Sequence, residues 1–128
     1  MILDTSALVA VLFEDPGYQE LEHKMLGMSV IAIGAPTLVE TEMVVVGKYG
    51  EAAHLTIARL RENMDIAVIP FGQSHWEVAA DAFVRFGKGR HPAALNYGDC
   101  MTYASARVAD RPLLFVGDDF GQTDIEAA

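Results

Sequence analysis

Cysteine and long apolar runs are both scarce in this sequence. Cys100 is the only cysteine, which excludes an internal disulfide and favours a reducing compartment. The longest apolar stretches, residues 30–33 and 113–116, are far shorter than the ~20 residues that span a bilayer. The first residues carry neither the basic region nor the cleavage signature of a secretory leader, so we expect a cytoplasmic protein.

Basic residues are outnumbered by acidic ones. The chain has nine Lys and Arg residues against 18 Asp and Glu residues, and its formal net charge is −9. Affinity for nucleic acid without sequence preference comes from Lys and Arg neutralising phosphates, so this balance does not itself attract a polyanion. If the protein acts on a polyanion, a divalent metal or a basic partner must supply the positive charge.

Several common catalytic patterns are missing. The four histidines are dispersed, and none stands at a zinc-ligand spacing from Cys100. Gly87-Lys88-Gly89 matches only a fragment of a phosphate-binding loop, and there is no Gly-x-Gly-x-x-Gly. The sequence supports no serine, cysteine or lysine nucleophile.

Apolar residues are plentiful, at 52% of the chain, and 128 residues suffice for one domain with a packed core. Short β-branched runs alternate with segments of helical periodicity. The predicted strands are residues 1–3, 30–33, 66–69 and 113–116, and the predicted helices are residues 7–13, 18–26, 37–49, 51–63, 74–86 and 97–109. This alternation predicts a single α/β domain over residues 1–128, with a parallel sheet of at least four strands covered by helices on both sides.

Two of the predicted helices carry more local expectations. Residues 74–77, Ser-His-Trp-Glu, fit a capping box in which Ser74 caps the helix and Glu77 reaches back to it. We expect Trp76 of that helix to lie in the core. Cys100 stands in an apolar helical pattern and is expected to be a small buried residue.

Carboxylates follow three of the four predicted strands closely. Asp4 ends the first strand, Glu40 stands one helical turn past the second, and the pair Asp118 and Asp119 follows the fourth. Asp99 lies in the first turn of the helix that leads into that fourth strand. Because the carboxyl ends of parallel strands meet at the edge where ligands bind, we expect these side chains to converge.

A convergence of carboxylates requires a compensating cation. Two unit charges ~4 Å apart repel by about 1 kcal/mol in water and by several times more near a protein surface. Oxygen ligands alone select a hard ion, so we expect Mg²⁺, with Mn²⁺ able to replace it, and phosphoryl chemistry. Glu42 stands two residues from Glu40 and points about 200° away around the helix, so at most one of the two faces the site.

Residues able to hold a phosphate stand in two places. Thr5 and Ser6 follow the first strand immediately and could hydrogen-bond a phosphate or orient a ligand. Lys88, Arg90 and His91 belong to the most basic passage of the chain, which two glycines and a proline keep from forming one helix. That passage is either a contact for a nucleic-acid backbone or an ordinary solvated loop.

Five passages together resemble PIN-domain ribonucleases, and more narrowly the VapC toxins of bacterial type II toxin–antitoxin systems. They are residues 1–8 (MILDTSAL), 36–40 (PTLVE), 87–100 (GKGRHPAALNYGDC), 112–120 (PLLFVGDDF) and 123–125 (TDI). They occur in the family's order over essentially the whole chain. The resemblance implies a PIN-like three-layer α/β/α sandwich with a central parallel sheet of four or five strands.

The resemblance also implies an activity and its residues. It implies a Mg²⁺-dependent endoribonuclease in which metal-activated water cleaves RNA, with Asp4 and Asp99 anchoring the metal. Glu40 and the fourth acidic residue would complete its shell through water or bind a second ion. We favour Asp119 over Asp118 as that fourth residue, because the family pattern varies at the first of the pair.

The residues themselves leave alternatives open, and partners follow from the same resemblance. It implies a frequent homodimer and a cognate antitoxin encoded adjacently, and the acidic chain predicts that this antitoxin is basic and could place an arginine among the carboxylates. Glu42 replaces Glu40 if the helix is rotated from this interpretation. The alternatives are a non-catalytic metal-binding module and a receiver-like domain, although a receiver would have an aspartate where Pro70 and Phe71 follow the third strand.

Overall fold

The computed structural model describes all 128 residues, and its centre is a parallel sheet. Its strands are β1 (Ile2–Leu3), β2 (Ile31–Gly34), β3 (Ile66–Ile69) and β4 (Leu113–Leu114). They lie in the order β3-β2-β1-β4 and all pairs are parallel. β4 is two residues shorter than predicted, because the backbone N–H of Val116 donates to a side-chain oxygen instead of continuing the ladder.

Six α-helices connect and cover these strands. They are α1 (Thr5–Leu12), α2 (Tyr18–Leu26), α3 (Ala35–Tyr49), α4 (Ala53–Asn63), α5 (Gln73–Phe86) and α6 (Tyr97–Ala109). Short 3₁₀ turns cover Gly50–Ala52 and Phe120–Gln122. No helix has both the length and the apolar character needed to cross a membrane.

Two apolar clusters lie on opposite faces of the sheet. Successive residues of β1 point in opposite directions, so Ile2 packs with α5 and α6, whereas Leu3 packs with α1 and α2. Both residues are buried, as expected of a central strand that is covered on each side. The result is the predicted three-layer α/β/α sandwich.

The end of the chain adds to the sheet beside β4. The backbone N–H of Leu113 donates to the carbonyl of Glu126, and the N–H of Ala128 donates to the carbonyl of Leu113. These bonds make a single parallel bridge between Leu113 and Ala127. Four strands and this bridge agree with the prediction of four or five strands.

The predicted capping box at the start of α5 is wrong. The helix begins at Gln73, with Gly72 as the preceding cap residue. The imidazole ring of His75 makes the cap: its Nδ1 accepts from the backbone N–H of Gly72 at 3.1 Å. Glu77 accepts from the Gln73 side chain at 3.0 Å and does not reach back to Ser74.

The prediction that Trp76 lies in the core is also wrong, since the residue is 57% exposed. The residues that α5 buries are Ala79, Ala82 and Phe86. Trp76 lies beside them on the wall of a surface groove. Cys100 on the neighbouring helix is buried, as predicted.

Candidate active site

Asp4 stands where β1 ends and α1 begins, and it caps that helix. Its Oδ2 accepts from the backbone N–H of Ser6 at 2.9 Å and from the Ser6 hydroxyl at 2.5 Å. The Ser6 hydroxyl oxygen accepts in turn from the backbone N–H of Val116 at 3.0 Å, which links Asp4 to the end of β4. Asp4 is only 6% exposed, so its position is well defined by its surroundings.

Glu40 comes to the same edge of the sheet from α3. The Thr5 hydroxyl donates to Oε2 of Glu40 at 2.8 Å, and the Thr41 hydroxyl donates to the Thr5 oxygen at 3.3 Å. The Glu40 carboxylate lies against the backbone of Gly98 in the first turn of α6. A Cβ atom at Gly98 would stand 2.5 Å from Oε1 and 2.9 Å from the carboxyl carbon of Glu40.

Gly98 is a site residue that the sequence analysis missed. Any side chain at this position would displace the Glu40 carboxylate. A glycine inside a helix costs roughly 0.5–1 kcal/mol relative to alanine. Its presence in the first turn of α6, next to a candidate ligand, was the signal that could have identified it.

Asp99 is the third residue of α6 and forms a reciprocal cap with Asn96. The backbone N–H of Asp99 donates to Oδ1 of Asn96, and the backbone N–H of Asn96 donates to Oδ2 of Asp99, both at 2.9 Å. Burial raises the pKa of Asp99 from 3.8 to about 6, against the lowering effect of the Asn96 hydrogen bond. The negative charges of Asp4, Asp119 and Glu40 raise this pKa further.

The raised pKa of Asp99 indicates which other carboxylates lie near it. The charge of Asp119 raises the pKa of Asp99, and Asp118 is not among the groups that do so, which supports the prediction of Asp119 over Asp118. Glu42 lies elsewhere on α3, with its Oε1 3.0 Å from Nδ1 of His54. Glu40 and not Glu42 therefore faces the site. The helical spacing predicted that at most one of them would, and the family resemblance indicated Glu40.

The carboxylates of Asp4, Glu40 and Asp99 share one arrangement. In each, one oxygen accepts a hydrogen bond from the protein and the other accepts none. The oxygens without a partner are Oδ1 of Asp4, Oε1 of Glu40 and Oδ1 of Asp99. No three carboxylate, imidazole or thiol groups are placed to ligate one ion together. Mg²⁺ usually takes one or two carboxylates and keeps several waters, so this donor set fits that ion better than a closed cage.

A family model describes the same architecture. The model for the PIN domain matches residues 1–126. The chain belongs to the PIN-domain family. It is 43% identical to Ribonuclease VapC36 of Mycobacterium tuberculosis over 127 residues, which cover 98% of this chain and 91% of that protein. This PIN domain is therefore a member of the VapC ribonuclease group, as its motifs indicated.

Solved structures agree with this fold. The crystal structure of Mycobacterium tuberculosis VapC20, described as a sarcin–ricin loop cleaving toxin, matches with a TM-score of 0.80 and 18% identity, over 99% of this chain and 97% of that one. A toxin–antitoxin complex from Klebsiella pneumoniae matches with a TM-score of 0.70 and 19% identity, over 96% and 92% of the two chains. At these identities the likeness shows the PIN fold alone.

Thr5 and Ser6 were predicted to contact substrate, and the structure gives their hydroxyls another task. They hold Glu40 and Asp4, respectively, through the hydrogen bonds described above. In this PIN domain they orient the carboxylates whether or not a phosphate also reaches them. Their contact with a phosphate stays a prediction.

The predicted basic passage lies between α5 and α6. Nε of Arg90 donates to the carbonyl of Val84 at 3.1 Å, and the His91 ring packs edge-on against Phe86 at 5.2 Å. Neither Lys88, Arg90 nor His91 forms an ion pair with a carboxylate. The charges of Lys88 and Arg90 are thus available to an anionic ligand, whereas Nδ1 of His91 accepts from the backbone N–H of Ala93 at 3.1 Å. Binding of this passage to RNA stays a prediction.

Two neighbouring grooves open on this side of the molecule, and Glu40 lines the first of them. The first, of about 380 Å³, lies between α3 and α6 and includes Gly98 in its lining. The second, of about 510 Å³, lies between α5 and α6 and is lined only by hydrophobic residues, among them Trp76 and Phe83. Tyr97, which is 80% exposed, borders both grooves. The carboxylates of this PIN domain therefore adjoin a large exposed apolar surface.

Proposed function

We propose that this protein is a metal-dependent endoribonuclease and the toxin of a type II toxin–antitoxin module. One observation supports the reaction: carboxylates from four separate segments lie near enough for the charges of three of them to act on Asp99, and the protein places no cation among them. No Lys, Arg or His forms an ion pair with any of them, and the pKa of Asp99 is raised first by burial and then by the charges of Asp4, Asp119 and Glu40. Such a cluster favours a divalent cation, and hard cations held by carboxylates suit phosphoryl chemistry. The names of the VapC relatives support RNA as the substrate.

Asp4 and Asp99 are the residues we assign to hold Mg²⁺, for which Mn²⁺ could substitute, with Glu40 and Asp119 completing its shell through water. A bound ion of this kind lowers the pKa of water and neutralises charge on a phosphate. The protein's own contribution is orientation. Thr5 and the backbone at Gly98 define where the Glu40 carboxylate lies, and Ser6 fixes Asp4.

We further propose a basic antitoxin as the partner. The net charge of −9 attracts a cationic protein, and a toxin–antitoxin complex is among the structures that share this fold. An arginine side chain from such a partner would compensate the carboxylates and so compete with the metal. The single cysteine, which suits a reducing compartment, supports action in the cytoplasm.

A homodimer is the assembly that the exposed apolar surface supports. Val39, Met43 and Val46 repeat at helical spacing on α3, and all three are more than half exposed. Tyr97 and Trp76 continue this surface across the two grooves. Contiguous apolar surface of this kind marks protein interfaces, and we assign it to a second copy of the chain.

Cleavage of a pool of structured cellular RNAs tests the proposed function. Purified protein is incubated with the pool in Mg²⁺, Mn²⁺ or EDTA, alongside Asp99→Asn, which keeps the cap of α6 but removes the charge. We expect discrete fragments that require the metal and are absent with the variant. If the metal binds but no RNA is cut, a non-catalytic metal-binding module becomes the better description.

A further inference from the structure

A cluster of charged and hydroxyl groups around Asp124 lies outside the carboxylate site. The Tyr103 hydroxyl donates to Oδ1 of Asp124 at 2.6 Å, and a guanidinium N–H of Arg85 donates to Oδ2 at 2.8 Å. Arg107 approaches Oδ2 to 3.7 Å. We call these four residues, Tyr103, Arg85, Arg107 and Asp124, the Asp124 latch. They join the segment after β4 to helices α5 and α6.

Tyr103 and Arg85, which hydrogen-bond to Asp124, are themselves held in position by packing against Phe86. Tyr103 is almost completely buried, and its ring packs against Phe86 with centroids 5.8 Å apart. Burial, and then the hydrogen bond to Asp124, raise the pKa of Tyr103 to about 12, so its hydroxyl remains a donor at neutral pH. Arg85 is steadied by a contact of its guanidinium with the Phe86 ring at 4.6 Å.

The latch lies five residues after Asp119, and the residues between them are tightly connected. The Thr123 hydroxyl donates to the Phe120 carbonyl at 2.7 Å, and the backbone N–H of Gln122 donates to the Asp119 carbonyl at 3.3 Å. The Phe120 side chain is buried against Phe115. A displacement of Asp124 would therefore be transmitted to Asp119.

The residues before Asp119 are held at one point, where the backbone N–H of Val116 donates to the Ser6 hydroxyl at 3.0 Å. Val116, Gly117 and Asp118 are exposed, and Gly117 has a φ of +106°, a conformation that favours glycine. Gly117 and Asp118 separate Asp119 from that point, so its nearer anchoring comes from the residues that follow it. Those anchors are the buried Phe120 ring and the Asp124 latch.

We propose that Asp124, held by Tyr103 and Arg85, is a positioning residue that keeps Asp119 beside the other carboxylates. This inference rests on the proposed function of that site. Asp124 touches neither the metal nor RNA in this proposal. Its loss weakens the site by allowing the Asp119 segment to move.

Three variants and three measurements test the proposal. Asp124→Ala removes the latch, Tyr103→Phe removes one hydrogen bond of it, and Val45→Ala destabilises the core elsewhere by creating a cavity. The measurements are amide hydrogen exchange at residues 118–122 without metal, the dissociation constant for Mn²⁺ by calorimetry, and the Mg²⁺ concentration that half-saturates RNA cleavage.

We expect Asp124→Ala to speed exchange at residues 118–122 and to weaken Mn²⁺ binding about threefold to fivefold, the size of an exposed ion pair. The half-saturating Mg²⁺ concentration should rise in parallel. In all three measurements, Tyr103→Phe should give values between those of wild type and Asp124→Ala. Val45→Ala should lower the Tm but leave exchange at residues 118–122 and metal affinity unchanged.

The proposal is overturned if Asp124→Ala leaves exchange and Mn²⁺ affinity as in wild type. It is also overturned if Val45→Ala changes both as much, because the effect would then be general destabilisation. Failure of the proposed function looks different: wild type itself would bind no Mn²⁺ and cut no RNA. The exchange measurement would still report whether Asp124 orders the Asp119 segment.

Discussion

Two carboxylates of the site, Asp4 and Glu40, each depend on a small neighbouring hydroxyl residue that fixes one of their oxygens. Ser6 does this for Asp4 and Thr5 does it for Glu40, so the remaining oxygen of each is left for a ligand. Gly98 contributes by having no side chain, since the Glu40 carboxylate occupies the space beside it. Single substitutions at these neighbours should therefore change activity without unfolding the protein.

Gly98→Ala tests the role of that space. The new methyl group would overlap the Glu40 carboxylate, so we expect RNA cleavage to fall at least about tenfold, a barrier increase of ~1.4 kcal/mol. The Tm should stay the same or rise, because alanine is the better helix residue. Gly47→Ala on α3 is the matched control, since no atom lies within 4 Å of its added Cβ. Wild-type cleavage by Gly98→Ala would contradict this role.

Asp99 makes the stability of the metal-free protein depend on pH. Its folded pKa of about 6 lies above the ordinary value of 3.8, so folding favours the protonated form. That contribution is lost as the pH rises from about 4 through 6. In EDTA above that window we expect Asp99→Asn to raise the Tm by ~3–6 °C, with the difference vanishing near pH 4. Thermal unfolding across this range measures it, and a difference that does not depend on pH would rule out the charge as its cause.

At the scale of the elements, α3 serves two surfaces of the molecule. It carries Glu40 into the site and presents Val39, Met43 and Val46 to solvent. A helix that exposes such a stripe requires a partner to cover it. In the proposed homodimer, α3 would therefore connect the interface to the site.

Met43→Glu tests whether this stripe forms the homodimer. Met43 is 71% exposed, so the substitution should leave the fold intact while placing a like charge on each side of the interface. We expect wild type to be a dimer by light scattering and Met43→Glu to be a monomer at the same concentration. Leu55→Glu on α4, where Leu55 is also more than half exposed, should remain a dimer. A monomeric wild type would contradict the assignment.

Periodicity predicted the strands and helices well because each buries a regular face, as β1 does with Ile2 and Leu3. The convergence of Asp4 and Glu40 was predictable because both closely follow strand ends. The start of α5 was not, since the ring of His75 caps it, and a local pattern around Ser74 does not reveal that. Nor does spacing show that Trp76 borders an open groove or that Gly98 makes room for a side chain of another helix.

The whole molecule is acidic, and its charge determines which partners approach it. We expect a basic antitoxin to associate at a rate that falls steeply as ionic strength rises, because screening shortens the Debye length to about 10 Å at 0.1 M salt and about 3 Å at 1 M. Stopped-flow mixing of the purified toxin and antitoxin at several salt concentrations measures this rate. An association rate that is insensitive to salt would show that the net charge of −9 does not attract the partner.

The most direct test of the metal-dependent nuclease is a Mg²⁺ titration in which the Tm and the cleavage of RNA are followed in the same samples. For wild type we predict that both rise together and that EDTA reverses both, because one ion relieves the repulsion around Asp99 and enables cleavage. For Asp99→Asn we predict a Tm that hardly responds to Mg²⁺ and no cleavage. Cleavage by wild type in EDTA, or undiminished cleavage by Asp99→Asn, would contradict the proposal.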